Sequence, residues 1–309
     1  MAAQFHSHDR STVGPRVALF LAISLLSAGI GATASGCARP GEAQFGRRDG
    51  QGPGHRTQSL GLSPEEEYSV GRQAYAEILS KSKVEPPDSQ NVRRVKDVGG
   101  RIVKAAEIEP LQREIGLHLK GYRFEWEFNV LSNKQVNAFC LPGGKVCVYS
   151  ALLGVADTDD YLATVMAHEI AHALAHHASE RVAREEKVKR LLQVANGALS
   201  GMNPEERREL LGILAAGTRV GSLPYDRQQE SEADHIGLFL MTFAGYDPRQ
   251  AIVFWEKMQH LSRGGHIPAI LSDHPSDAKR IAQLQKWVPT ALAGKKAFDE
   301  GRIAPQPGS

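Results

Sequence analysis

The apolar positions of this chain follow two rhythms. Leu162, Val165, Met166, Ile170 and Leu174 recur at helical spacing, and no Gly or Pro interrupts the stretch from Ala156 to Ala195, which predicts one long helix. Asp157-Thr158-Asp159-Asp160 ahead of it supplies capping side chains and negative charge at a helix start. Ser63-Pro64-Glu65-Glu66-Glu67 offers a cap, a first-turn Pro and early carboxylates. Helices are therefore expected near 64–82 and 89–107, and again near 226–244, 248–262 and 275–286. Between them the rhythm changes to two. Phe124-Glu125-Trp126-Glu127-Phe128 alternates, Val146-Cys147-Val148-Tyr149 is β-prone, and Pro142-Gly143-Gly144 is a turn. The expected fold class is α+β, predominantly helical, with a small β-sheet beside the helix of 156–195.

The ends read differently. Arg10 and Arg16 precede an apolar run from Val17 to Ile30, shorter than the roughly 18 residues of a spanning helix and suited to the core of a secretory signal. Ala34-Ser35-Gly36-Cys37 has the form of a bacterial lipobox, with Cys37 as the lipidated first residue of the mature chain. Soluble secretion and a persistent inner-membrane anchor are the alternatives. Ala38, where Asp commonly signals inner-membrane retention, favours the outer membrane and a periplasmic location. The Gly-, Pro-, Arg- and Gln-rich stretch that follows reads as a flexible tether. The expected organisation is a signal peptide over 1–36, lipidated Cys and tether over 37–60, one globular domain over 61–290 and a loose tail over 291–309. The stretch from Gly201 to Tyr225 reads either as a movable lid or as a passive connector.

Charge adds little. A formal net charge of +2 and a pI near 8.4 are too mild to imply nucleic acid as a partner. Besides Cys37 there are Cys140 and Cys147. A two-residue turn at Gly143-Gly144 would set them opposite each other, and export would permit a disulfide. Pro142, which has no amide donor for that register, leaves the pairing open.

The chemistry concentrates in His168-Glu169-Ile170-Ala171-His172. Two histidines four apart share a helix face, so both imidazoles can meet one Zn2+ ion with Glu169 beside them as general base. The bland alternative is a solvated helix turn. A third ligand is needed. On a straight helix His176 lies about 12 Å from His168, too far to share an ion with it, so His176 and His177 read as solvent-facing or as neighbours of the ligands. Glu230 and Asp234 share a face of a later helix, either as a charged surface or, beside the upstream motif, with Glu230 as a carboxylate ligand and Asp234 as a partner for a ligand histidine. Glu232 fits an ordinary charged surface. His274-Pro275-x4-Arg280 opens a further helix, which by itself is an N-capped start with exposed charges.

Together these motifs, with Asn137-Ala138-Phe139-Cys140-Leu141-Pro142-Gly143-Gly144, resemble the zinc metallopeptidases of the HtpX and CAAX prenyl endopeptidase type, in their soluble periplasmic branch. The likeness runs from about Ser63 to Val288. It implies a zincin (gluzincin) domain with one zinc per chain held by His168, His172 and Glu230. It implies Glu169 as base, Asp234 behind a ligand, and His274 and Arg280 contacting substrate or stabilising the oxyanion. In some members the histidine matching His274 occupies the open metal position and holds the enzyme latent. Here the helical repeats that accompany the assembly-related members are not seen. An edge strand at Asn137, Ala138 and Phe139 would pair with an extended peptide through its main chain. The substrates expected are unfolded or misfolded envelope proteins, reached from a membrane anchor at Cys37. A latent or chaperone-like assembly factor is the competing function.

Overall fold

The computed structural model describes residues 56–208 and 226–302, apart from 199, 202, 207, 264–267 and 275–277. The signal pattern, Cys37 and most of the stretch from Gly201 to Tyr225, lid or connector, lie outside the described residues. The elements are α1 (Pro64–Lys81), α2 (Gln90–Ala106), α3 (Glu109–Glu114), β1 (Glu127–Leu131), β2 (Ala138–Leu141), β3 (Lys145–Tyr149), α4 (Ser150–Val155), α5 (Asp159–Leu174), α6 (His177–Ala198), α7 (Arg227–Phe243), α8 (Arg249–Arg263), α9 (Ala269–Asp273) and α10 (Ala278–Asp299). No described helix is long and apolar enough to cross a membrane.

The hub is α5. Thr158 caps it through Tyr161 N–H, and every residue from Leu162 to Leu174 is buried, as a helix apolar on all sides must be. The neighbouring α7 starts on a capping box between Asp226 and Gln229. It approaches so closely that a Cβ on Gly237 would stand 3.0 Å from backbone atoms of Ala167 and His168. The expected uninterrupted helix does not form. It ends at Leu174, His176 takes a positive φ of 57°, and a new helix begins at His177. No residue there breaks helices by itself, and tertiary contacts hold the break. Gln58 donates to the Ala175 carbonyl (2.7 Å), while His176 pairs with Glu67 (2.9 Å) and stacks on Tyr122.

The sheet has the order β1-β3-β2, with β1 parallel and β2 antiparallel to β3. The first strand starts at Glu127, three residues later than the alternation from Phe124 suggests; Phe124 and Trp126 instead stack on each other and cover the core edge. In the β2–β3 hairpin Leu141 pairs with Lys145, so the turn takes three residues and Cys140 faces Val146, not Cys147. One residue of register moves a side chain to the opposite face. Cys140 joins the main core with Val146 and Val148, whereas Cys147 packs under α1 with Tyr75 and Ile78. Both cysteines are free and buried, so the pairing that the sequence left open is not made at this register.

Two boundaries also move. The expected tail from 291 is helical as far as Asp299, with Ala291 fully buried and Phe298 against Phe243. The end of the expected tether is seated on the domain: Gln58 and Leu60 are buried, and Gly61 N–H bonds to the Ser179 carbonyl (3.0 Å).

Candidate active site

Two helices and the residue that caps a third bring the motif residues together. His168, Glu169 and His172 come from α5, Glu230 from the first turn of α7, and His274 from the residue that closes α9. All five are buried. Ligand atoms of His168, His172, Glu230 and His274 lie within 4.8 Å of one another. The distance from His168 Nε2 is 3.1 Å to His172 Nε2, 3.4 Å to Glu230 Oε2 and 3.2 Å to His274 Nδ1. From His172 Nε2 to Glu230 Oε1 it is 3.4 Å. Tetrahedral coordination with bonds of about 2.0–2.1 Å places neighbouring ligand atoms about 3.4 Å apart. Among the described residues Glu230 Oε2 and Glu169 Oε1 are buried with no hydrogen-bond partner, a costly state that a cation at the centre of the cluster would relieve. The donor set and its spacing therefore fit a metal ion.

The outward nitrogens of both α5 histidines are held. His168 Nδ1 is 3.0 Å from Asp234 Oδ1. His172 Nδ1 is 2.8 Å from His177 Nδ1, and His177 Nε2 is 3.1 Å from Glu232 Oε2. His176 and His177 are both buried, so neither is solvent-facing, and Glu232 is buried rather than part of a charged surface. A residue five beyond His172 would sit about 140° round a continuous helix. Only the break at His176 swings His177 back onto His172, so no spacing rule could have found it.

Burial and the Arg280 charge push His168 down, but Glu230 and Asp234 outweigh them and hold its imidazole at about 9. Burial drives His172 well below its usual value. Against the cost of burial, His274 and His168 hold the Glu230 carboxyl far below the usual carboxylate range. Glu169 is raised, because burial dominates over the pull of His274 and His168.

Arg280 borders the ligands. Its Nη2 donates to Asp234 (2.6 Å), its Nη1 is 3.5 Å from Glu230 and its guanidinium covers the Trp255 ring at 3.6 Å. That position sets Arg280 against Asp234, Glu230 and the His168 ring, whose Nδ1 is 3.1 Å from Nη2. His274 points Nε2 at Glu169 Oε1 (3.3 Å). Of the edge-strand residues, Asn137 donates to Asp273 (3.2 Å), next to His274. Ala138 is in the main core, and Phe139 packs edge-on to Tyr149. Their side chains are thus engaged internally, and β2 offers its main chain at the edge of the sheet.

The sequence profile of peptidase family M48 matches residues 103–288. Mitochondrial metalloendopeptidase OMA1 of Saccharomyces cerevisiae is 32% identical over 246 residues, covering 76% of this chain and 68% of the relative. The Arabidopsis thaliana protein of the same name is 38% identical over 167 residues, 54% of this chain and 32% of the relative. The beta-barrel assembly-enhancing protease of Escherichia coli K12 is 32% identical over 184 residues, 58% of this chain and 37% of the relative. The chain thus spans about two thirds of the yeast relative's length and about a third of the other two.

Proposed function

Because the chain belongs to peptidase family M48 and is a metalloendopeptidase, we propose that its metal is zinc and that it hydrolyses peptide bonds in misfolded or mistargeted cell-envelope proteins. The observation that carries the zinc reading is the buried cluster of His168, His172 and Glu230 at tetrahedral spacing. Bound zinc would supply Lewis acidity and a water made acidic near neutral pH. Glu169 accepts the proton as water attacks the scissile carbonyl and delivers it to the leaving amine. Burial raises its carboxyl against the pull of His274 and His168. Asp234 accepts from Nδ1–H of His168, which leaves Nε2 bare for the ion. The main chain at the edge of β2, which packs against α5, is the surface on which an extended substrate would add as a strand.

Unfolded envelope proteins are the substrate class because main-chain pairing tolerates many sequences and exposes the chain only when it is unfolded. The name of the Escherichia coli relative, a beta-barrel assembly-enhancing protease, supports an envelope setting. Placement on the periplasmic face through a lipid on Cys37 rests on the pattern of residues 17–37; relatives named as mitochondrial make it the part to test directly, by labelling with a radioactive fatty acid and by Cys37→Ala.

One observation favours a second reading. His274 Nδ1 sits inside the ligand cluster as a fourth donor, which suits a latent or chaperone-like factor whose site is held closed. Cleavage of an unfolded protein by the zinc-loaded chain separates the two. Activity should vanish on chelation and fall about 10²–10⁴-fold in Glu169→Gln, the usual worth of a general base. No cleavage by zinc-loaded wild type would shift the reading to the closed factor.

A further inference from the structure

Residues 56–62 form a strap that crosses the α5–α6 break, and its first residue reaches the outer shell of the metal cluster. Arg56 donates from Nε to Glu232 Oε2 (2.6 Å), and from Nη1 and Nη2 to the two oxygens of Glu180 (2.6 and 2.7 Å). The same Glu232 oxygen lies 3.1 Å from His177 Nε2, and His177 Nδ1 lies 2.8 Å from His172 Nδ1. Side-chain exposure falls inward along this path, from 24% at Arg56 to 5% at Glu232 and 0% at His177.

The chemistry of the path fixes its proton positions. A carboxylate paired with a guanidinium only accepts, so His177 carries its proton on Nε2 and offers a bare Nδ1. His172 then donates from Nδ1, which leaves its Nε2 lone pair facing His168 and Glu230. We propose that Arg56 is a positioning residue for the metal site: it orients Glu232, which through His177 sets the tautomer and ring angle of His172. The strap is therefore a working part of the site and not only packing. His168 has its counterpart in Asp234, one carboxylate away; His172 uses a histidine and a carboxylate, with their geometry anchored from the N-terminal strap. Removing Arg56 leaves Glu232 buried beside His177 without its cation, a costly state that frees Glu232 to take another rotamer.

The inference rests on the metal reading above, so the test measures metal binding directly. The full-length chain is stripped of metal, titrated with zinc against a chromophoric chelator, and loaded with Co2+ for its visible absorption spectrum. Arg56→Ala and Glu232→Gln should each weaken zinc about 10–100-fold, the usual cost of losing an outer-shell partner, and should shift the cobalt band. The double variant should be no weaker than the worse single one, because both cut one path. Arg56→Lys, which keeps a cation near Glu232, should recover much of the loss. Arg94→Ala, which removes the pair with Asp159 at the far end of α5, should lower thermal stability and leave zinc affinity and the cobalt band unchanged. If Arg56→Ala behaves like Arg94→Ala, the positioning role is overturned. If Arg56→Ala does not fold, Arg56→Lys and Arg56→Gln carry the comparison, and wild-type affinity in both would overturn the role equally. A wild-type chain that takes up no zinc would overturn the metal reading itself; a wild type that binds, with indifferent variants, would overturn only the role of Arg56.

Discussion

Nδ1 of His274 stands 2.8 Å from Oε1 of Glu230, inside the space that an ion shared with His168 and His172 would need open for substrate. A catalytic zinc keeps one position for water and substrate, whereas a fourth protein ligand makes a closed, structural type of site. Replacing His274 by Ala should therefore raise cleavage of an unfolded protein several-fold at saturating zinc, while zinc is lost more readily to a chelator because one donor is gone. Equal or lower turnover with fully retained zinc would show that His274 serves catalysis and not closure.

The legible part of this site was the part set by spacing within single helices. His168, Glu169 and His172 follow from a four-residue interval, and Glu230 with Asp234 from another. What escaped depends on tertiary contacts. His177 reaches His172 only because Gln58, Glu67 and Tyr122 hold a left-handed turn at His176, and no Gly or Pro announces it. Glu232 reads as a surface charge by composition, yet Arg56 and His177 enclose it. Arg56 itself borders a Gly- and Pro-rich stretch whose composition argues for a tether. The helices 64–81, 90–106 and 227–243 were readable from caps and periodicity. The hairpin register was not, because either a two- or a three-residue turn suits Pro-Gly-Gly.

That register gives a thiol prediction. Cys140 and Cys147 lie on opposite faces of the sheet, and burial pushes both thiols well above the usual range. The thiolate is the reactive form. Neither cysteine should react with a disulfide reagent such as Ellman's at pH 8 in the folded chain, and both should react once it is unfolded in guanidinium. A mass lower by two hydrogen atoms under non-reducing conditions, assigned to a 140–147 bridge, would refute the register.

His235 should make the fold sensitive to mild acid. Its ring is wedged against Phe239 and Trp287, and burial lowers its pKa despite the opposing pull of Glu114 and Glu232. The unfolded chain regains an ordinary imidazole near 6.5 and so binds a proton that the folded chain refuses. Stability is unaffected by this group above about pH 6.5 and is lost as the pH falls from there through the depressed folded value. Urea midpoints measured from pH 7.5 down to 5 should drop less steeply in His235→Gln than in the wild type. Parallel curves would remove His235 from the acid response; ligand protonation, common to both chains, cancels in the comparison.

Gly237 governs how closely the two ligand-bearing helices approach. A Cβ at this position would lie 3.0 Å from the carbonyl carbon of Ala167, 3.0 Å from the amide nitrogen of His168 and 3.1 Å from the Ala167 carbonyl oxygen. All three are backbone atoms of α5, which cannot turn aside as a side chain can. Two effects compete in Gly237→Ala. Alanine gains about 1 kcal/mol over glycine in a helix interior, and overpacking a tight contact costs about 1–3 kcal/mol. Stability alone is therefore a poor readout, since the net change is small if α7 simply backs away. Metal affinity is the sharper one, because backing away carries Glu230 off from His168 and His172, now about 3.4 Å distant. Zinc binding should weaken clearly even where the urea midpoint moves little. Wild-type affinity in Gly237→Ala would mean that the α5–α7 contact has slack that the backbone geometry does not reveal.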